Sequence, residues 1–434
     1  VKSWWLFEIY EITVVLPSIV LINSITALPW KSFGDNLISS ASAIIKGIFS
    51  FSQNSPLYSL LSGKIKSPDI LCAGTPCQAF SLSGLRNGLN DERGNLTLKF
   101  VDIVNANDSI REKNGDKKTI VFWENVEGVL SDKTNAFGCM ISALVGLDDV
   151  IYQKKWPTAG YLKGPKRVVA WRVLDAKFFG VPQQRKRLYL ISADINSHPE
   201  NVLFEEFSNK KHVFPKHPLV FEKDGHNFEV FREYTDCLYS AYGTKWNGNA
   251  PAFNGSLFVV QDGRIRRLSP LETERLMGFP DNYTYSEKCR KTARYQATGN
   301  SWAVPVVRKI GENLKKHLYD DVSIFENKNL DKLLIKNESY ELYLLDSKKT
   351  NSLNVSDIPN NPVYGNMHDI VDADAPEDIY ISPVGCYGMI RRKNERNIKM
   401  NKRLEEVLLE NSKSMDEQEI ERKSRVQKRG RFSS

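Results

Sequence analysis

The stretch DILCAGTPCQAFSLSG, residues 69–84, joins a short apolar segment to a polar loop that contains a cysteine. Its first part, DILCAG, has the continuous apolar run of a buried strand. Cys77 comes after this run, among Gly74, Pro76 and Ser81, which disfavour regular structure. A thiol in a loop at the end of a strand is accessible to a substrate. The stretch therefore predicts a strand followed by a loop with a reactive cysteine.

Two similar apolar runs follow along the chain, and they predict a sheet. TIVFWENV (119–126) and RLYLISA (187–193) have the composition of buried strands, and LTLKFVDIVNAN (96–107) has helical periodicity. The order of strand, helix and strand predicts an α/β fold with a parallel sheet covered by helices. Active sites of such sheets gather at the carboxyl ends of the strands. Cys77 and Glu124 both lie just past such ends.

The chain changes character after residue 193. Residues 194–262 are rich in Gly, Asn, His, Pro and aromatic residues, which predicts a small, loop-rich module. A helix is predicted to begin after Ser269, the expected N-cap, with Pro270 at its first position and Glu272 completing a capping box.

The C-terminal part of the chain predicts a long extension. SYELYLLDS (339–347) and EDIYISPVG (377–385) are predicted strands, and RLEEVLLE (403–410) is a predicted helix. The end of the chain, RKSRVQKRGRFSS, is predicted to be a disordered basic tail.

Charge and composition limit the class of protein. The 434 residues carry a net charge of +8, and in residues 391–434 the Lys and Arg outnumber Asp and Glu by 14 to 8. A basic balance suits a polyanionic partner. The six cysteines form no CxxC pair and the six histidines no HExxH, so we expect no metal, no disulfide framework and a reducing cytoplasm. The apolar segment 12–30 contains Pro17 and Asn23, and we expect no membrane span there.

Six motifs occur in a fixed order between residues 69 and 310. They are GTPCQ (74–78), DERGNL (91–96), ENV (124–126), QQRKR (183–187), RRLSPLETERLMGFP (266–280) and GNSWAVPVV (299–307). With this order, and a variable module between the fourth and the fifth, the sequence resembles the DNA cytosine-5 methyltransferase family. The resemblance covers more than half of the chain.

The resemblance implies a fold and a division into domains. The expected fold is a Rossmann-like, S-adenosylmethionine-dependent methyltransferase domain with a small target-recognition domain and a C-terminal extension. The implied catalytic domain covers residues 1–193, of which 1–60 are atypical, and continues over 263–318. Residues 194–262 correspond to the target-recognition domain, and 319–434 form the extension with its basic tail.

The resemblance also assigns chemistry to four residues. Cys77 would add to C6 of cytosine, which makes C5 nucleophilic enough to take a methyl group. Glu124 would hold or protonate N3 of the ring. Arg185 and Arg187 alternate into a strand, are expected to point the same way, and would frame the pocket and favour the thiolate. The cytosine must be flipped out of the duplex.

Ligand contacts are implied in the same way. S-adenosylmethionine is the implied cofactor, and double-stranded DNA is the implied partner. The expected cofactor contacts are Pro76, Leu96, Asn300 and Ser301. The expected DNA contacts are Gln78, Ser81, Ser83, Lys245 and Asn247. A cognate restriction endonuclease is a candidate partner, the protein is expected to be a monomer, and its setting is the cytoplasm of a bacterial or phage-infected cell.

The sequence departs from the family pattern at two places. The glycine-rich Phe-x-Gly-x-Gly-Gly turn after the first strand is not found, since the first glycine is Gly34. A catalytically impaired DNA-binding relative therefore stays an alternative, as does a tRNA cytosine-5 methyltransferase. Cys237-Leu238 stands where a Thr-Leu pair is usual, which puts one backbone contact in question.

Overall fold

The computed structural model describes residues 19–23, 67–74, 95–209, 212–243, 253–326, 328, 330–346, 352–413, 415 and 418. Its strands are β1 (Ile19–Asn23), β2 (Ile70–Gly74), β3 (Ile120–Val126), β4 (Ala159–Lys163), β5 (Arg167–Asp175), β6 (Lys186–Asp194), β7 (Glu205–Glu206), β8 (Val220–Lys223), β9 (His226–Val230), β10 (Phe258–Gln261), β11 (Arg264–Arg267), β12 (Leu334–Lys336), β13 (Glu341–Leu345) and β14 (Leu353–Asn354). Its α-helices are α1 (Asn95–Lys113), α2 (Ala136–Val145), α3 (Pro199–Leu203), α4 (Pro270–Leu276), α5 (Lys291–Asn300), α6 (Val304–His317), α7 (Met367–Ile370), α8 (Pro383–Glu395) and α9 (Lys402–Ser412).

The chain divides into two compact units that alternate along the sequence. The described residues within Val1–Asp175, Lys186–Lys211 and Val306–Pro362 form the first unit. Those within Ala176–Arg185, His212–Pro305 and Val363–Ser434 form the second. The predicted recognition domain, 194–262, is thus divided between the units, and so is the predicted extension, 319–434. The functional assignment of these ranges stays a prediction.

An eight-stranded sheet organises the first unit, in the order β1-β2-β3-β6-β5-β4-β13-β12. Strands β1, β2 and β3 are parallel neighbours, and the strands from β6 onward pair antiparallel. The predicted helix between β2 and β3 is α1. The first unit is therefore a mixed α/β, Rossmann-like domain, as expected.

The predicted parallel direction of the third strand is wrong. Residues 187–193 do form a strand, β6, but it pairs antiparallel with β3. The chain forms β4 and β5 between β3 and β6, and β4, β5 and β6 pair antiparallel in succession. As a result β6 begins at the edge of the sheet at which β3 ends.

Aromatic packing fills the core of the first unit beneath the sheet. The ring of Phe137, on the apolar helix α2, lies 5.3 Å from that of Trp171 and 5.4 Å from that of Trp156, centre to centre. Both contacts are edge-on, which is the preferred geometry for aromatic pairs. The buried Arg167 of β5 bonds Asp108 on α1 and the Thr119 carbonyl, and so ties that helix to the sheet.

The apolar segment 12–30 is described only over residues 19–23, where it forms β1. None of the helices in the described ranges is long and apolar enough to cross a membrane.

A four-stranded antiparallel sheet, β11-β10-β9-β8, organises the second unit. Helix α4 begins as predicted: the Ser269 hydroxyl accepts a bond from the Glu272 N–H at 3.1 Å, and the Glu272 carboxylate accepts one from the Ser269 N–H at 2.6 Å. Helix α5 ends at Asn300 and α6 begins at Val304, so residues 301–303 connect the two helices.

Two predictions for the extension are confirmed and one is wrong. Residues 341–345 form the strand β13, and 402–412 form the helix α9. Residues 377–385 form no strand. A single turn of 3₁₀ helix at Glu377–Ile379 is followed by Ser382, which caps α8 by accepting a bond from Gly385 N–H. The basic end of the chain, 419–434, lies outside the described residues.

Candidate active site

Glu124 lies near the end of β3, in the interior of the eight-stranded sheet. β3 runs between β2, parallel to it, and β6, antiparallel to it. Ala73 of β2 pairs with Trp123, so β2 ends at Gly74 beside Glu124. The carboxyl ends of β2 and β3 therefore share one edge of the sheet, and Gly74 at that edge is the last described residue before Cys77 in the chain.

An ion pair joins Glu124 to Arg187 on β6. In the antiparallel pairing Glu124 lies opposite Tyr189, so Arg187, two residues away, is its diagonal neighbour on the same face. The Arg187 Nε lies 3.1 Å from the Glu124 Oε1, and the two side chains are 15% and 10% exposed. Removing one partner of so buried a pair costs roughly 3–5 kcal/mol, because the other charge is left uncompensated.

Arg185 precedes β6 and has different partners. Its Nη1 donates to the Leu238 carbonyl at 3.0 Å, and its Nη2 donates to the Ser301 carbonyl at 2.7 Å. The Cys237 Sγ lies 3.1 Å from the same Nη1. Arg185 is 3% exposed, and these bonds hold together segments that are far apart in sequence. The prediction that both arginines frame one pocket is not tested by these contacts and stays a prediction.

Gln183 is a buried polar residue that sequence reasoning missed. Its Oε1 accepts a bond from the Leu238 N–H at 2.9 Å, and its Nε2 donates to the Leu276 carbonyl at 3.0 Å. Together with Arg185 it satisfies both backbone groups of Leu238. The sequence does contain a signal for it: Gln183 lies between Pro182 and a predicted buried strand, and a polar side chain that is buried there needs hydrogen-bond partners. Both backbone groups of Leu238 are therefore bonded in this chain, which has Cys237 before it.

Asn300 and Ser301 lie at the end of α5, in the second unit. The Ser301 hydroxyl donates to the Thr298 carbonyl at 2.7 Å, and the Ser301 carbonyl accepts from Arg185. Gly299 is required here, because a Cβ would lie 2.5 Å from the backbone of Tyr239 and Ser240. The two predicted cofactor residues are therefore on a turn whose backbone is fixed from two sides.

Most other predicted site residues cannot be placed. The predicted nucleophile Cys77 lies outside the described residues, as do the predicted ligand contacts Pro76, Gln78, Ser81, Ser83, Lys245 and Asn247. The backbone of Leu96 belongs to α1, but its side chain is not described. In the part of the chain that the structure covers, no three His, Cys, Asp or Glu side chains are grouped so that they could hold a metal ion.

The described cysteines differ in their surroundings. Cys72 of β2 and Cys386 of α8 are buried, and burial raises the pKa of each thiol to about 12. Burial also raises the pKa of Cys139 and of Cys289. Such thiols stay protonated near neutral pH and are poor nucleophiles. Cys237 is half-buried and lies beside Arg185. Any assignment of a nucleophilic cysteine therefore needs a Cys237 variant as its control.

Comparison with known proteins supports the interpretation of these motifs. The profile of the family described as "C-5 cytosine-specific DNA methylase" matches residues 42–246 and 243–316. The Type II methyltransferase M.HpaII of Haemophilus parainfluenzae is 29% identical, over 58% of this chain and 74% of that protein. The Type II methyltransferase M.HhaI of Haemophilus parahaemolyticus is 28% identical, over 58% and 78%.

A phage protein shows a higher identity under a different name. The "DNA N-6-adenine-methyltransferase" of Escherichia phage P1 is 44% identical, over 59% of this chain. The match covers 54% of the phage protein, so this chain corresponds to about half of its length. The family profile covers more than half of the present chain, and the six ordered motifs lie almost wholly within the matched range. The chain belongs to the C-5 cytosine-specific DNA methylase family.

Proposed function

We propose that this protein transfers a methyl group from S-adenosylmethionine to C5 of cytosine in double-stranded DNA. S-adenosylmethionine is the methyl donor of the family to which the chain belongs. One observation in the structure carries the proposal. The Glu124–Arg187 pair lies at the sheet edge where β2 ends, and the chain continues from there to Cys77. Cys77 is three positions after Gly74, and three residue steps of extended chain span at most about 11 Å.

The proposed nucleophile is the Cys77 thiolate. Its sulfur forms a bond to C6 of the flipped cytosine, which moves the electron pair of the C5–C6 double bond to C5. C5 then takes the methyl group, and S-adenosylhomocysteine leaves. Loss of the C5 proton to a base and cleavage of the bond from sulfur to C6 restore the ring. The base must leave the stacked duplex for this reaction, which costs a few kcal/mol.

Glu124 supports this reaction as the acid group nearest the strand end. We propose that it holds or protonates N3, which withdraws electrons from C6 and favours attack by sulfur. Arg187 orients the carboxylate and keeps its charge compensated in the buried site. Arg185 acts as a positioning residue in the second unit, because its donors are on the carbonyls of Leu238 and Ser301.

The residues at the end of α5 are suited to a polar ligand. The Ser301 hydroxyl donates its proton to Thr298, so its oxygen keeps acceptor capacity, and Asn300 offers both an acceptor and donors. We propose that these two residues, with Pro76 and Leu96, contact S-adenosylmethionine, whose sulfonium supplies the electrophilic methyl group. Lys245 and Asn247 stay the proposed contacts to phosphate or base edges, with Gln78, Ser81 and Ser83. A cognate restriction endonuclease and a cytoplasmic setting stay predictions.

The experiment incubates the protein with tritiated S-adenosylmethionine and duplex DNA, then digests the DNA to nucleosides for mass spectrometry. We expect label in 5-methylcytosine, loss of label in Cys77→Ser, and retained activity in the control Cys237→Thr. A 5-fluorocytosine duplex should trap the wild-type protein covalently, because a fluorine at C5 cannot leave as a proton does. Label that survives Cys77→Ser would refute the assigned nucleophile.

The name of the phage P1 relative supports a second candidate, methylation of adenine N6. The same nucleoside analysis separates the two, since it would show N6-methyladenine instead. Label in tRNA rather than in duplex DNA would favour the RNA alternative. Absence of label in any substrate, together with retained DNA binding and no heat of S-adenosylmethionine binding in calorimetry, would favour the catalytically impaired relative.

A further inference from the structure

The last described part of the chain is built into the core of the second unit. Helices α8 and α9 pack against each other, and their apolar faces cover the four-stranded sheet. The shared core consists of Phe231, Phe258, Val260 and Ile265 from the sheet side and Cys386, Met389, Ile390, Leu404, Val407 and Leu408 from the helices. Whatever α8 and α9 present to solvent is therefore held rigidly with respect to this sheet.

The segment that joins the two helices, residues 396–402, is called the basic turn here. Arg396, Lys399 and Lys402 are exposed, and none of them forms an ion pair with another described residue. Three basic residues that flank the turn form ion pairs. Arg391 pairs with Glu395, Lys393 pairs with Glu405 at 2.8 Å, and Arg403 pairs with Glu229 at 2.7 Å.

Folding alone does not favour this arrangement of charge. Lys402 is the first residue of α9, where the positive end of the helix dipole disfavours a cation. Asn397 has a positive φ of 48°, the left-handed backbone conformation. The three cations lie within seven residues of the chain and are exposed, and they add no ion pair to the described part of the fold. They are suited to an external anion.

A backbone hydrogen bond joins the basic turn to Phe253, which follows the predicted DNA-reading segment in the chain. The Asn401 N–H donates to the Phe253 carbonyl at 2.9 Å, and the Asn401 side chain accepts from the Leu404 N–H and so caps α9. Phe253 is buried and is the first described residue after 244–252, which include the proposed DNA contacts Lys245 and Asn247. The turn is thus fixed to the first described residue after that segment.

We propose that Arg396, Lys399 and Lys402 bind the phosphate backbone of the DNA duplex next to the recognised site. This inference rests on the proposed function, because it takes the same duplex as its ligand. Phosphate contacts of this kind set the register of a protein on DNA without reading the sequence. They also make binding depend steeply on salt, since each neutralised phosphate releases bound counterions.

The test compares the dissociation constants of four proteins, the wild-type chain and three variants of it, for a mixed-sequence duplex over a range of NaCl concentrations. The variant Arg396→Gln/Lys399→Gln/Lys402→Gln should bind on the order of tenfold more weakly at 0.1 M NaCl, with the slope of log Kd against log salt reduced by about 2 to 3. The control Lys154→Gln/Lys155→Gln/Lys316→Gln removes the same charge from exposed positions in the first unit and should keep the wild-type slope.

A charge-retaining variant, Arg396→Lys/Lys399→Arg/Lys402→Arg, should also keep the wild-type slope, which separates loss of charge from a disturbed fold. An unchanged slope in the glutamine variant would overturn the inference, as would an equal loss in the control. If either of these results is found and the wild-type protein still methylates DNA, the inference about the basic turn fails but the proposed function stands. Wild-type protein that methylates no DNA would contradict the proposed function itself.

Discussion

Glu124 and Arg187 are 63 positions apart in the chain. They meet because the antiparallel pairing of β3 with β6 brings them onto one face of the sheet. The sequence indicates each residue separately, as a carboxylate and an arginine at strand ends, but not their direct contact. That contact depends on β6 running antiparallel, which the sequence predicted incorrectly. Gln183 and Arg185 were harder to interpret, because their partners are backbone groups of segments distant in sequence. Every residue has a backbone N–H or carbonyl, so the residue types do not show which backbone group a side chain will bond.

The role of the ion pair gives a prediction at this scale. Glu124→Gln removes the charge but keeps the shape, so methyl transfer in a single turnover should slow by about 10²- to 10⁴-fold. Glu127→Gln, three residues further along the chain, should transfer methyl groups at the wild-type rate. Stability measured by thermal unfolding should fall for Glu124→Gln and recover in part when Arg187→Gln is added, because the second change removes the uncompensated charge. Equal rates for the two glutamine variants would exclude a role of Glu124 in the chemistry.

A second prediction concerns pH and His198. The His198 Nδ1 lies 2.8 Å from an Oε1 of the buried Glu200, and this hydrogen bond raises the pKa of His198 above its usual value. Folding then favours the protonated ring, so the contribution to stability is complete below about pH 6.5 and is lost as the pH rises through the raised pKa. His198→Asn should therefore lower Tm more at pH 6 than at pH 8.5.

Ser323→Ala serves as the control for that prediction. Its hydroxyl donates to the same Glu200 Oε1 at 2.7 Å but does not titrate in this range. The loss of Tm in this variant should be similar at both pH values. A His198→Asn difference that grows towards pH 8.5 would reverse the sign and refute the assignment.

The start of a helix can be predicted when its capping residues lie within a few positions of one another. The capping box of α4 follows from Ser269, Pro270 and Glu272 alone, and the structure forms it. The same Ser-Pro signal, Ser382-Pro383, begins α8, but the alternation of Ile379 and Ile381 led to the prediction of a strand. A helix forms there instead of a strand. Pro383 has no N–H to donate to a neighbouring strand, but it fits the first position of a helix, and Ser382 caps that helix.

The strength of the α4 cap is measurable at the scale of the element. Glu272 also binds the buried Arg266 through both carboxylate oxygens, at 2.7 and 2.9 Å. Ser269→Ala should lower the free energy of unfolding by about 1 kcal/mol, the usual value of an N-cap. Glu272→Gln should lower it by roughly 3–5 kcal/mol, because Arg266 would keep a buried charge without its partner. Urea unfolding measures both, and a larger loss in Ser269→Ala would contradict the ranking.

At the scale of the whole molecule, the sequence predicted an extension where the structure has two additions. Residues 319–362 belong to the first unit, in which β13 continues the sheet beyond β4. Residues from Val363 onward belong to the second, where α8 and α9 complete its core. Neither addition could be assigned from sequence, because apolar strands and helices do not indicate which sheet they join.

Truncation tests this interpretation. A chain that ends at Pro362 should lose the fold of its second unit, because Phe231, Phe258, Val260 and Ile265 would be exposed to water. We expect aggregation in size-exclusion chromatography and rapid cleavage of residues 212–305 by trypsin. A chain that ends at Lys413 keeps both helices and should elute and resist trypsin like the full chain. Equal protease resistance of the two truncated proteins would show that α8 and α9 are dispensable.

The alternation of the two units along the chain limits how specificity could be transplanted between relatives. A chimera that received only residues 194–262 from a donor would place a foreign sheet under native helices, and the interface would mismatch. An exchange that preserves packing has to move 176–185, 212–305 and 363–413 together. The same arrangement constrains synthesis, since the ribosome must release the chain as far as Ser412 before both helices that seal the four-stranded sheet become available.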